Sequence, residues 1–184
     1  MKFTNDKLKL ILPNKKYKDQ ILRYKNDMLS AGSSMDGCGN LRRDDIDTWL
    51  KKCRDWRKGK NLPTSYVPST QYICIRVSDD RLVGMLDVRH ELSEFLFNYG
   101  GNMGDSIAVD ERGKGYGKEL LRLGLKKAKI LGLKKVLLTC KTENSRSRSC
   151  ILANGGIYED TRHFDGSVGN RQPADLERYW ITLE

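Results

Sequence analysis

Residues Val109–Leu121 read VDERGKGYGKELL, with glycines at the alternate positions 113, 115 and 117. Glycine is a poor helix former, yet an apolar-periodic run of helical type begins at this point. The preceding MGDSIAV has the alternation of a strand, so the glycines open a helix directly after a strand. There the first backbone N–H groups have no partner and the helix dipole is positive. Small residues let an anion approach such groups closely. The N–H groups of Gly113, Lys114, Gly115, Tyr116 and Gly117 are therefore a candidate phosphate cradle. It is not a nucleotide P-loop, because Gly117-Lys118 is followed by Glu119 and supplies no hydroxyl for magnesium. Nor is it a dinucleotide fingerprint: the spacing is G-x-G-x-G, and the next strand pattern, KKVLLTCK, ends in Lys141 rather than an acidic residue.

Few other chemistries are available. The five cysteines, Cys38, Cys53, Cys74, Cys140 and Cys150, include no C-x-x-C pair, and His90 and His163 do not stand at zinc-ligand spacing. No metal site and no disulfide framework are expected. Cys74 and Cys140 fall inside apolar runs and read as small core residues. The net charge of +10 points to an anionic partner or to a solvated basic surface. The basic residues are dispersed and no helix-turn-helix, zinc-finger or RNA-recognition signature occurs, which argues against nucleic acid as the partner. A basic nucleic-acid-binding module nevertheless stays open as a competing class. No apolar run is long enough to cross a bilayer and the N-terminal stretch lacks a signal-peptide pattern, so a cytoplasmic protein with no membrane partner is expected.

The elements that would position the cradle can be followed along the chain. At 184 residues, one domain spanning 1–184 is expected. KLKLILP reads as a strand, Tyr17, Ile21, Tyr24 and Met28 as one helix face, and Ile46, Trp49, Leu50 and Cys53 as another. QYICIRVS and RLVGMLDVRH form a hairpin around Asp79-Asp80, with a bulge or close backbone approach at Gly84. Tyr116, Leu120, Leu121, Gly124, Leu125 and Ala128 mark the buried face of a long helix, and Lys118, Arg122, Lys126 and Lys129 its solvent face. KKVLLTC, SRSRSCILANG, GIYEDTRHF and DLERYWITL follow as strand, helix, strand and strand. The expectation is an α/β (α+β) fold: a mixed sheet with helices on both faces, antiparallel at the hairpin and parallel around the cradle helix.

Arg112-x-x-Gly115-x-Gly117, placed between a strand and a long helix, resembles the pyrophosphate-binding signature of the GNAT superfamily of acetyl-CoA-dependent N-acetyltransferases. TENSRSRSCILANGG resembles that superfamily's Asn-x-x-Ser helix start, and the order of elements matches over residues 7–184. VPSTQY, VGMLDVRHEL, NYGGN and RYWI are similar to a group of uncharacterised acetyltransferases within it. The resemblance implies a mostly antiparallel central sheet of six to seven strands with a parallel pair that splays beside the cradle, acetyl-CoA as cosubstrate, and transfer of its acetyl group to a primary amine by direct attack. It implies that Arg112, Gly113, Lys114, Gly115, Tyr116, Gly117 and Lys118 surround the pyrophosphate. It implies that the backbone of Ser106, Ile107 and Ala108 pairs with the pantetheine arm, that Asn144 bonds the arm, and that Ser147 caps the helix or touches the arm. Lys114, Lys118, Arg146 and Arg148 are candidates for the 3′-phosphate.

The amine arrives as an ammonium and needs a base. The link 90–105 joins the hairpin to the cradle strand, and there His90 and Glu94 are the leading candidate catalytic residues, with Asp105 and Glu91 behind them. Glu94 sits beside Phe95 and Phe97, whose apolar surroundings would raise its pKa. Many superfamily members carry an acidic tyrosine seven positions after the Asn; here that position is Ile151, leaving Tyr99, Tyr116 and Cys150 as substitutes. A protein that binds acetyl-CoA as a sensor and transfers nothing is the alternative. The acceptor, a small molecule or a peptide, is not legible, and a homodimer stays open.

Overall fold

The computed structural model describes residues 4–167 and 172–183. Strands β1 (Leu8–Ile11), β2 (Ser69–Arg76), β3 (Arg81–Arg89) and β4 (Met103–Ile107) form an antiparallel sheet in that order. Strands β5 (Lys135–Lys141), β6 (Ile157–Phe164) and β7 (Ala174–Thr182) form a second one, with β7 in the middle. Four helices complete the fold: α1 (Lys18–Ser30), α2 (Ile46–Trp56), α3 (Tyr116–Ile130) and α4 (Ser145–Ala153).

Strand alternation sorts the core into two layers. On β2, Tyr72 and Cys74 face α3, while Ile73 and Ile75 face α1 and α2. Leu120, Leu121, Leu125 and Ala128 of α3 close the first layer together with Val136 and Leu138 of β5 and Tyr179 and Ile181 of β7. Ile21, Tyr24, Met28, Trp49 and Leu50 close the second. Helices therefore cover both faces, as the periodicity implied. The hairpin pairing slips between Cys74 and Ile75, opposite Gly84, which is the bulge expected there. A Cβ on Gly84 would lie 2.9 Å from the Ser106 carbonyl oxygen, so the close approach is also present.

The two sheets meet at Asn102. This residue is 4% exposed; its N–H donates to the Leu137 carbonyl (2.7 Å), its Oδ1 accepts from the Leu137 N–H (2.8 Å), and its own carbonyl accepts from Arg89 N–H (2.7 Å). From this junction β4 runs on to Ile107 and β5 to Lys141, and among the described residues no ladder joins them. Every ladder among the described residues is antiparallel, so the splayed pair is a single junction followed by a gap, not a short parallel ladder.

Candidate active site

The loop between β4 and α3 owes its course to glycine. Gly113 and Gly115 have φ of 82° and 84°, in the left-handed region that side chains disfavour. Gly115 stands at the N-cap of α3 and, as a glycine, supplies no side-chain cap. The helix's first N–H groups are thus presented at the end of β4, where a phosphate would meet them. Gly117 serves packing instead. A Cβ there would sit 3.2 Å from Cys150 Sγ, so its absence lets α4 lie against α3.

Several side chains assigned to the cofactor have other work. Arg112 Nε donates to the Ile107 carbonyl (3.2 Å) and Nη2 to Ser33 Oγ (3.0 Å), which ties the loop to β4 and to the segment after α1. Lys114 Nζ is held by Glu111 (2.7 Å), and Arg148 forks onto Glu177 (2.7 Å from both Nε and Nη2). Both cations are spent within the fold, which leaves exposed Arg146 as the unengaged member, among the described residues, of the set expected at the 3′-phosphate. Lys118 is 5% exposed, on the buried side of α3 rather than its solvent face. Tyr116 is buried, with its hydroxyl bonded to Asp6 and to Arg76 Nη1. A hydroxyl held in this way is not placed to serve as an acid. Asn144 Oδ1 accepts the Ser147 N–H (3.1 Å): Asn144 is the cap of α4 and Ser147 the capped residue. Ile151 is 3% exposed inside the α3 layer.

The backbone of β4 divides by alternation. Ala108 N–H donates to the Val83 carbonyl, and the Asn102 carbonyl accepts from Arg89, so the even-numbered residues face β3. Ser106 accordingly turns its backbone inward, and Tyr24 Oη donates to its carbonyl (3.2 Å). Asp105 and Ile107 present theirs to the gap. Of the three residues expected to pair with the arm, only Ile107 turns its backbone away from β3, and because its carbonyl is taken by Arg112 Nε (3.2 Å) it leaves the N–H on that side, next to the backbone groups of Asp105.

The three catalytic candidates separate clearly. His90 Nε2 lies 2.8 Å from Thr70 Oγ1, and burial lowers its pKa. It lies six residues along β3 from Gly84, the partner of Ile107, which is about 20 Å at strand rise. Glu94 is exposed, so Phe95 and Phe97 do not enclose it. Asp105 is half-buried on β4, and no ion pair or hydrogen bond engages its carboxylate among the described residues. Burial, then the like charge of Asp36, push its pKa from 3.8 up to about 7. Asp36 is adjacent because the segment after α1 lies against β4. Its carbonyl accepts from Ser106 Oγ (2.6 Å), and a Cβ on Gly37 would come within 2.7 Å of Asp105 Cα. A carboxylate titrating near neutrality, beside the gap and just before the cradle, is suited to take a proton from an ammonium. Of the substitutes for an acid, the Cys150 thiol is pushed up by burial and stays neutral, and Tyr99 packs against Phe95 and Phe164 (ring centroids 5.7 and 5.2 Å).

The sequence model of the family described as acetyltransferase (GNAT) domain matches residues 15–157. The chain belongs to the GNAT acetyltransferase family. Solved structures agree on the fold. Microcin C7 self-immunity acetyltransferase MccE, in complex with acetyl-CoA and AMP, aligns with a TM-score of 0.71 at 14% identity, over 97% of this chain and 93% of that one. The Salmonella typhimurium acetyltransferase that modifies the N-terminal serine of ribosomal protein L7/L12 aligns at 0.68 and 12% identity, over 98% and 97%. A Vibrio cholerae spermidine/spermine N-acetyltransferase, SpeG, aligns at 0.64 and 16%, over 96% and 94%. A search of curated protein sequences finds no match. As a GNAT enzyme the chain uses acetyl-CoA as cosubstrate, and the glycine loop, the helix start with glycine at its N-cap and the open strand edge fit that molecule. No helix among the described residues is long and apolar enough to cross a membrane.

Proposed function

We propose that the whole chain is one catalytic domain that acetylates a primary amine by direct attack, with Asp105 as general base. The observation that carries the assignment is the half-buried Asp105 carboxylate, unpaired among the described residues and at about pKa 7, beside the gap between β4 and β5. In this reading the N–H groups of residues 113–117 hold the pyrophosphate, while Asp105 and Ile107 offer backbone groups to the arm. Acetyl-CoA supplies an activated thioester. Asp105 takes the ammonium proton and leaves the amine lone pair free to attack. With Ile151 in the core, no acid acts from the position of the superfamily tyrosine, and the thiol leaves as thiolate.

Asp36 and Asp105, two acidic groups without cation partners among the described residues, favour an acceptor that arrives positively charged. Spermidine and spermine are named for one structural neighbour and a protein N-terminal serine for another, so polyamines and peptide N-termini are the first acceptors to test. The experiment is an amine panel with acetyl-CoA, read as release of free thiol, on the parent and Asp105→Asn. The proposal requires amine-dependent release that collapses in the variant. Saturable acetyl-CoA binding with no release by any amine would instead favour the sensor.

A further inference from the structure

The glycine loop contains two residues at positive φ, and the glycine at the N-cap of the helix it opens supplies no side-chain cap, so something outside the loop must hold its shape. Glu111 ends the short 3₁₀ turn before the loop, and Tyr116 begins α3 after it. Both are bonded to one atom of a distant residue: Arg76 Nη1 donates to Glu111 Oε2 (2.9 Å) and to Tyr116 Oη (2.9 Å). Arg76 closes β2, and its remaining nitrogens are fixed by Asp79, with Nε donating at 2.9 Å and Nη2 at 2.7 Å. Glu111 is 1% exposed, pairs with Arg81 Nη1 (3.2 Å) and also accepts from Lys114 Nζ (2.7 Å) in the middle of the loop. The Tyr116 hydroxyl in turn donates to Asp6.

We propose that Arg76 is a positioning residue of the cofactor cradle. Its Nη1 clamps the residues on both sides of the glycine loop and holds the loop's N–H groups aimed at the pyrophosphate before it arrives. This rests on the cradle reading above. A loop ordered in advance loses less conformational freedom on binding, and the difference appears as affinity. Arginine suits this role because its planar fork serves acceptors in several directions at once, which a lysine ammonium does not. Arg76 reaches the cradle only through the side chains of Glu111 and Tyr116 and has no hydrogen bond or ion pair with Asp105, so its effect falls on cofactor affinity and not on the chemical step.

The test is calorimetric titration of coenzyme A into the parent, Arg76→Gln and Arg76→Gln/Glu111→Gln, with melting curves for each. The double variant removes the buried carboxylate that the single one leaves short of a partner. Both variants should bind coenzyme A about 10- to 100-fold more weakly, the worth of a hydrogen bond to a charged group. With an accepted amine, KM for acetyl-CoA should rise by the same factor, while kcat at saturation and KM for the amine stay within about twofold. Parent-like affinity in both variants, whatever happens to melting, would reduce Arg76 to a structural residue. An equal fall in kcat and in affinity would also overturn the assignment. A parent that fails to bind coenzyme A would overturn the cradle, and the clamp with it; that failure is visible in the parent alone.

Discussion

Replacing Asp105 with Asn should make the protein a worse enzyme and a more stable one. The carboxyl titrates at about 7 in the folded chain against 3.8 for the free group. Between those values the folded state binds a proton that the unfolded state does not. Stability therefore falls as pH rises from about 4 to 7, and above 7 the full cost of the charge is present. The gap corresponds to roughly 4 kcal/mol at 1.36 kcal/mol per pKa unit, an upper bound for a group with partial access to water. A gain of about 1–3 kcal/mol is expected for Asp105→Asn at pH 8, vanishing near pH 4. Denaturant unfolding at the two pH values measures it. In parallel, kcat/KM of the parent should show an acidic limb centred near 7, and the variant should lose that limb along with about 10²–10⁴-fold in rate. An unchanged rate would remove Asp105 as the base. Equal stability at pH 4 and pH 8, relative to the parent, would show that its carboxyl is not held protonated by its surroundings.

Asp36→Asn removes the like charge that raises Asp105, so the acidic limb should move to lower pH; a limb that stays in place, read from kcat/KM against pH, would separate the two residues. His90→Gln should keep the parent's rate and pH profile and lose about 1 kcal/mol with its Thr70 contact, measured by steady-state kinetics and thermal melting. Gly115→Ala forces a side chain into the left-handed region and should cost about 1–2 kcal/mol together with coenzyme A affinity, whereas Gly115→Asn should cost less, because Asn tolerates that conformation. Asn102→Ala strands the buried Leu137 N–H and should destabilise by about 1–3 kcal/mol in chemical denaturation.

Much of this was legible in the chain, because local patterns dictated it. Alternation in QYICIRVS and the 3.6-residue period of Tyr116–Ala128 gave β2 and α3, and the strand-glycine-helix order gave the glycine loop between β4 and α3. Gly84 was readable because a glycine inside a strand has few other uses. What escaped depends on partners distant in sequence. Arg76 lies 35 residues before Glu111 and 40 before Tyr116, and nothing in IRVSDD announces a clamp. Lys114 and Arg148 looked free for phosphate until Glu111 and Glu177 appeared beside them. Lys118 sat on the polar side of the helical repeat, and its burial comes from what covers that side of α3. The ranking of His90, Glu94 and Asp105 turned on tertiary burial: apolar neighbours in sequence do not enclose Glu94, whereas Asp105 is half-buried on β4, with the segment after α1 packed against its backbone. Asn102 carried a faint signal, an Asn after Gly-Gly at a strand start, but its role as a surrogate backbone partner needed β5 in place.

Binding of acetyl-CoA along the glycine loop and the open edge of β4 is tested most directly, residue by residue, by backbone amide chemical shifts followed in two-dimensional NMR as acetyl-CoA is titrated into the labelled protein. Saturable shifts are expected to be concentrated at Gly113–Gly117, Asp105 and Ile107, with His90 and the β1 strand nearly still. Saturable binding that leaves the amides of residues 113–117 unmoved would contradict that site.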